Sequence, residues 1–124
     1  MSKKVLIVED EQLVAYLMEN YVTENSCCEV IASVDNGDEA IEIAKKEKPD
    51  FILMDVRIEG DKDGIETALA INKEQNIPII FTSGNTDDKT TERAKETNIA
   101  AFLVKPVKKE ELRKLICPEN IVNS

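Results

Sequence analysis

Two adjacent acids, Glu9 and Asp10, a third acid, Asp55, a hydroxyl at Thr82 and an amine at Lys105 all stand where an apolar run of strand length ends. The runs are Val5-Leu6-Ile7-Val8, Phe51-Ile52-Leu53-Met54, Ile79-Ile80-Phe81 and Phe102-Leu103-Val104. Three carboxylates brought together repel one another unless a cation sits among them. All-oxygen ligation suits a hard divalent ion, Mg²⁺ first and Mn²⁺ as its substitute. A carboxylate can also act as a nucleophile, and phosphoryl transfer to it gives an aspartyl phosphate carrying about two additional negative charges. Lys105 and Thr82 offer the ammonium and hydroxyl donors that such oxygens need. The chain contains no histidine, which excludes Ser-His-Asp, Cys-His and HExxH chemistry and any role as a phosphohistidine donor.

These residues do chemistry together only if the runs are strands that end on one edge. Continuous apolar runs read as strands buried on both faces of a parallel sheet, and open α/β sheets bind ligands at the carboxyl edge of such strands. The stretches between them carry helical signals. Leu13, Val14, Leu17, Met18, Tyr21 and Val22 form one wide apolar stripe at helical period, predicted to pack on the sheet. Asn36 with Glu39, and Asp63 with Glu66, are capping pairs that open two further helices, the first of which stops at Lys48-Pro49. Residues 86–97 complete the alternation as a weakly anchored helix, rich in threonine, with Ala94 as its clear inward residue. Leu112, Leu115 and Ile116 give the last helix its inner stripe. Cys28-Glu29-Val30-Ile31-Ala32 is the least apolar strand and belongs at an edge. Five strands alternating with five helices predict an α/β doubly wound parallel sheet in the order 2-1-3-4-5, with helices on both faces.

A chain of 124 residues, 42% hydrophobic, suits one domain, with its core over about 4–117 and a frayed tail at 118–124. The net charge is −9 and the basic residues form no stripe, which argues against direct nucleic-acid binding. The N-terminus leads straight into a strand rather than a signal segment, and no run approaches membrane-spanning length, so the expectation is a cytoplasmic protein that engages no membrane. Cys27, Cys28 and Cys117 are odd in number and lack metal-ligand spacing, and they are expected to be reduced packing thiols.

As a set, Glu9-Asp10, Asp55, Thr82 and Lys105-Pro106 resemble the receiver domain of two-component response regulators, the chemotaxis-receiver type, over nearly the whole chain. The resemblance implies a flavodoxin-like, three-layer α/β/α fold that takes a phosphoryl group onto Asp55 from a sensor histidine kinase or a histidine phosphotransfer protein. It implies that Asp10 and Asp55 bind Mg²⁺, that Glu9 acts mainly through water, and that the Arg57 backbone carbonyl completes the metal site. It gives Lys105 the contact to the phosphoryl group, and Thr82 and Phe102 the role of switch residues. The implied protein signals without turning over a substrate, acts on a downstream protein that the sequence does not identify, and forms a homodimer, if at all, on phosphorylation. Two departures stand out. The proline usual soon after the phosphorylated Asp is missing, and the loop 56–63 is one residue longer than the common form. Arg57 and Gly84 occupy positions where the family tunes its gain and loss of phosphate.

Other readings share parts of this pattern. A haloacid-dehalogenase-type phosphatase also places an Asp after an apolar strand, but needs a second acid where this chain has Arg57. A flavodoxin cradles FMN phosphate after strand one, where Glu9-Asp10-Glu11 would repel it. A degenerate receiver serving only as a binding module would not need all five site residues.

Overall fold

The computed structural model describes residues 2–24, 27–85 and 87–117, and within them five strands alternate with five helices. In chain order these are β1 Lys3–Val8, α1 Gln12–Thr23, β2 Cys28–Val34, α2 Gly37–Glu47, β3 Phe51–Asp55, α3 Gly64–Asn72, β4 Ile79–Ser83, α4 Asp88–Ala94, β5 Ile99–Val104 and α5 Lys109–Ile116. Every strand pairing is parallel, and the order is β2-β1-β3-β4-β5, as the sequence predicts.

Alternation along the strands divides the core in two. Leu6, Val8, Ile52, Met54, Ile79 and Phe81 pack on one side of the sheet with Ala40 and Ala44 of α2, Ile65 and Ala68 of α3, and Ala94 of α4. Val5, Ile7, Leu53, Ile80 and Leu103 pack on the other with Met18 and Val22 of α1 and Leu112 and Ile116 of α5. Each fully buried aliphatic side chain contributes about 1.5–3 kcal/mol against the entropy of ordering the chain. The central β3 is buried at every position, Asp55 included.

The helix starts follow from their caps. Asn36 accepts the Glu39 amide at 2.9 Å, and Asp63 and Glu66 make a reciprocal capping box at 2.8 and 2.9 Å. Lys48 ends α2 in the left-handed region at φ 47°, directly before Pro49. Gly64 is required at the start of α3, because a Cβ there would run into the backbone carbonyl of Asp55.

Several expectations are corrected. The α1 stripe buries only Met18 and Val22; Leu13 is 72% exposed and Leu17 39%, since a helix lying on a sheet covers a narrower band than the sequence stripe spans. Leu115 is likewise 40% exposed. The fourth helix is shorter than 86–97 and starts after Asp87, whose side chain accepts the Thr90 amide at 2.7 Å; its one buried residue is Ala94, as predicted. Thr86 and residues 118–124, with the predicted tail, lie outside the described residues. Cys27 and Cys117 are not packing thiols but form a disulfide, since the fold brings the start of β2 against the end of α5; Cys28 is the buried free thiol.

Candidate functional site

The carboxyl ends of β1, β3, β4 and β5 meet at a cleft of about 460 Å³. Asp10, Asp55, Arg57, Ser83, Gly84 and Lys105 are among the residues that line it. Glu9 lies beneath, 5% exposed, with its amide bonded to the Val34 carbonyl at 2.9 Å and its carboxylate accepting the Glu11 amide at 3.0 Å. Ligand oxygens of Glu9, Asp10 and Asp55 lie within 4.8 Å of one another. Lys105 reaches back from the end of β5, with its Nζ 2.9 Å from Glu9 Oε1 and 3.0 Å from Asp55 Oδ2. Arg57 donates its amide to Asp55 Oδ1 at 3.3 Å and lines the cleft two residues beyond it.

Electrostatics at this cluster are set by burial. Desolvation pushes Glu9 up to about 7, and the nearby Asp55 charge adds to the effect against the stabilising bonds from Glu11 and Lys105. For Lys105, burial alone would lower the ammonium, but the hydrogen bonds to Glu9 and Asp55 outweigh it and hold the pKa above the usual lysine value. Three carboxylates against one ammonium leave surplus negative charge in a largely desolvated place. An all-oxygen donor set with that surplus fits a hard divalent cation of the Mg²⁺ class.

The structure brings together Glu9, Asp10, Asp55 and Lys105, and puts Arg57 and Gly84 on the rim. Thr82 is the register partner of Asp55, one strand away, and its carbonyl accepts the Val56 amide at 3.0 Å. Residues paired in register point to the same side of a sheet, so Thr82 and Asp55 share a face, the one that Leu53 and Ile80 occupy two positions earlier. Thr82 is 5% exposed and lines a groove beside the cleft, together with Val14, Met18, Lys105 and Pro106. Lys105 thus borders both the groove that holds Thr82 and the cleft that holds Asp55.

Ser83, which follows Thr82 at the end of the same apolar run, is a second hydroxyl to which the sequence pattern assigned no role. It is 4% exposed, lines the cleft, and is held by Asn85, whose carbonyl accepts its Oγ and whose amide donates to it, both at 3.0 Å. The apolar run of β4 stops at Phe81, but the strand runs on through Ser83, so two hydroxyls rather than one stand at its tip. Phe102 pairs with Phe81 in register, ring centroids 6.2 Å apart, on the opposite face from Thr82. Its chain neighbour Leu103 is the register partner of Thr82, which places Phe102 one residue from that contact.

Another feature was invisible in the sequence. Arg93 of α4 pairs with Asp63, the cap of α3, at 2.9 Å, so the sparsely packed α4 is tied to the end of the loop that follows Asp55.

Comparison with known proteins agrees with this geometry. The family model described as response regulator receiver domain matches residues 5–117. The transcriptional regulatory protein PdtaR of Mycobacterium tuberculosis is 34% identical over 104 residues, covering 84% of this chain and 50% of that protein. The probable C4-dicarboxylate response regulator DctR of Bacillus subtilis is 30% identical over 114 residues, 91% of this chain and 50% of its own. The chain thus spans about half the length of these curated relatives. Among solved structures, the signal receiver domain of a modulated diguanylate cyclase from Desulfovibrio desulfuricans G20 is similar over all of both chains, with a TM-score of 0.85 and 32% identity.

Proposed function

The chain belongs to the response regulator receiver domain family, and on that premise we propose that Asp55 accepts a phosphoryl group from the phosphohistidine of a partner kinase or phosphotransfer protein. The observation that carries this reading is the placement of Asp55: a buried carboxylate at the tip of the central strand, 3.0 Å from an ammonium and within a carboxylate cluster that fits a divalent cation. The Asp55 oxygen attacks phosphorus as the phosphorus–nitrogen bond of the donor breaks, and the departing imidazole takes up a proton. Asp10 and Asp55 would hold Mg²⁺ directly, with Glu9 acting through water and the Arg57 carbonyl completing the set; when bound, the ion supplies neutralisation of charge on the phosphoryl oxygens.

The chain's own residues do the rest. Lys105 already contacts Asp55 and is placed to turn its ammonium to the new oxygens. Thr82, beside Asp55 on the same face, would turn its hydroxyl out of the neighbouring groove and donate to the anion. That movement would be felt by its register partner Leu103 and, through the β5 backbone, by Phe102, making Phe102 the second switch residue. Arg57 and Gly84 border the cleft, where the guanidinium and the missing side chain would set screening of the anion and the approach of water.

The receiver acts as a signalling domain, and its output goes to a protein partner rather than directly to nucleic acid or a membrane. Two of its curated relatives carry the names of a transcriptional regulatory protein and a response regulator, and this chain spans half the length of each. A homodimer formed on phosphorylation and a cytoplasmic site of action, within reach of a kinase that draws on ATP, belong to the same proposal. The test is transfer from a panel of phosphorylated histidine donors. Transfer of one phosphoryl group to Asp55 is expected, whereas steady hydrolysis of a generic phosphate ester, with no transfer, would point to a phosphatase instead.

A further inference from the structure

At the amino edge of the sheet, opposite the acidic cleft, three sulfurs converge. Cys27 precedes β2 and is half-buried, Cys28 opens β2 and is buried, and Cys117 follows α5 at 1% exposure. Cys27 and Cys117, 90 residues apart, are joined by a disulfide with their Cα atoms 6.4 Å apart. Cys28 Sγ stands 3.6 Å from Cys27 Sγ as a free thiol. The Cys27 end is fixed to the sheet, because its carbonyl accepts the Lys3 amide of β1 at 2.7 Å.

The other end of the bond holds the C-terminal end of α5, whose core anchors are few. It is an eight-residue helix that buries Leu112 and Ile116, and a helix this short depends on its tertiary anchors. Its ion pair to the end of α1, Lys109 with Glu24 at 2.8 Å, is solvent-exposed and contributes little. Its N-cap, Lys108, comes just after Lys105, the residue that grips Asp55. One end of α5 is therefore joined to the acidic cleft and the other to the sulfur cluster.

We propose that Cys27 and Cys117 form a thiol–disulfide switch that clamps the C-terminal end of α5 to the sheet and sets how far α5 follows Lys105 when Asp55 is phosphorylated. The second half of this statement rests on the receiver reading above. The co-reactant is a small disulfide of the glutathione class. The thiolate of Cys27, the accessible sulfur, attacks it to give a mixed disulfide and one small thiolate. The Cys117 thiolate then attacks the Cys27 sulfur and releases the second. Two protein thiols and one small disulfide become one protein disulfide and two small thiols, the two protons passing to the leaving thiolates, and an excess of small thiol reverses the steps. Cys28 does not pair with Cys27 despite its proximity, because the two are chain neighbours whose Cα atoms lie about 3.8 Å apart, closer than a disulfide normally spans. Disulfides in cytosolic proteins are characteristically transient or redox-sensing, and that matches a bond placed at the end of a short helix.

The experiment equilibrates the full chain with glutathione disulfide or with dithiothreitol, then counts alkylatable thiols in the unfolded protein by mass and follows hydrogen exchange in α5. The exchange is run with and without beryllofluoride and Mg²⁺, a phosphoryl mimic. One reactive thiol is expected in the oxidised protein and three in the reduced, with α5 amides exchanging on the order of tenfold faster after reduction and a larger beryllofluoride shift there. Cys27→Ser and Cys117→Ser should each give the faster exchange in both buffers, whereas Cys28→Ala should keep the redox response. Three reactive thiols in both buffers, or α5 exchange that ignores redox state, overturns the clamp, and equal beryllofluoride shifts overturn its part in signalling. Acceptance of phosphate by Asp55 from acetyl phosphate, measured in both buffers, separates the two readings. Lost acceptance with redox-dependent exchange overturns the receiver role alone, and normal acceptance with redox-independent exchange overturns the clamp alone.

Discussion

Lys105 Nζ lies 3.0 Å from Asp55 Oδ2, joining residues fifty positions apart at the tips of β5 and β3. The same ammonium contacts Glu9 at 2.9 Å, so a single cation holds two buried carboxylates. Removing it would take from both acids the cationic partner they have among the described residues, a change that costs about 3–5 kcal/mol in buried pairs. Lys105→Met should therefore lower metal-free stability by a large part of that amount, as read by urea denaturation in EDTA. Mg²⁺ should restore most of the loss, because it supplies the missing positive charge. A loss unaffected by Mg²⁺ would mean that Lys105 acts chiefly through packing.

Glu9 predicts a pH dependence of the metal-free protein. Its folded pKa is raised to about 7, from an ordinary value of 4.5, mainly by desolvation. Between those values the folded state binds the proton more tightly than the unfolded chain, so the stabilisation present at low pH is lost as pH climbs through the window. The contribution is on the order of 3 kcal/mol, and Glu9→Gln should flatten the slope. Denaturation in EDTA from pH 5 to 8 measures it. Stability that rises over that range in the wild type and not in Glu9→Gln would mean the opposite sign.

Thr82 and Ser83 make a paired prediction. If Thr82 transmits the switch, Thr82→Val, which keeps the shape and removes the hydroxyl, should abolish most of the beryllofluoride-induced change in hydrogen exchange over residues 88–104. Ser83→Ala should leave that change largely intact. The opposite pattern would pass the role to Ser83, the hydroxyl that lines the cleft.

Gly64 positions the tip of β3 through close approach. Its amide bonds to the Val56 carbonyl at 2.6 Å, and a Cβ at this position would overlap the Asp55 backbone. Gly64→Ala should cost about 1–3 kcal/mol and slow Asp55 phosphorylation together, because the backbone that carries Asp55 must shift. Full stability with full phosphorylation would show that the loop 56–63 can give way.

The parts legible in the sequence were those set by local pattern. The unbroken apolar run of β3 marked the central strand and its terminal acid, the mixed polarity of β2 marked the edge, and Asp63 with Glu66 marked the start of α3. Glu9, Asp10, Asp55 and Lys105 could be grouped because each closes a strand and parallel strands share an edge. That Thr82 sits in a groove beside the cleft, with Ser83 on the cleft itself, depends on how far β4 continues past its apolar run, which composition does not report. The Cys27–Cys117 bond and the Arg93–Asp63 pair join residues far apart in the chain, and no periodicity reports on such partners. The exposure of Leu13 and Leu17 was hidden for a related reason: the stripe gives the direction of a helix face, not how much of it the sheet covers.

The most direct measurement of phosphoryl acceptance is intact-mass spectrometry after incubation with acetyl phosphate, with Mg²⁺ or with EDTA, on the wild type and on Asp55→Asn. The added mass of one phosphoryl group is expected on the wild type in Mg²⁺ only, since without a cation the clustered acids repel the donor, and none on Asp55→Asn. Equal modification in EDTA, or modification of Asp55→Asn to the same extent, would contradict the assignment of Asp55 as the metal-dependent acceptor.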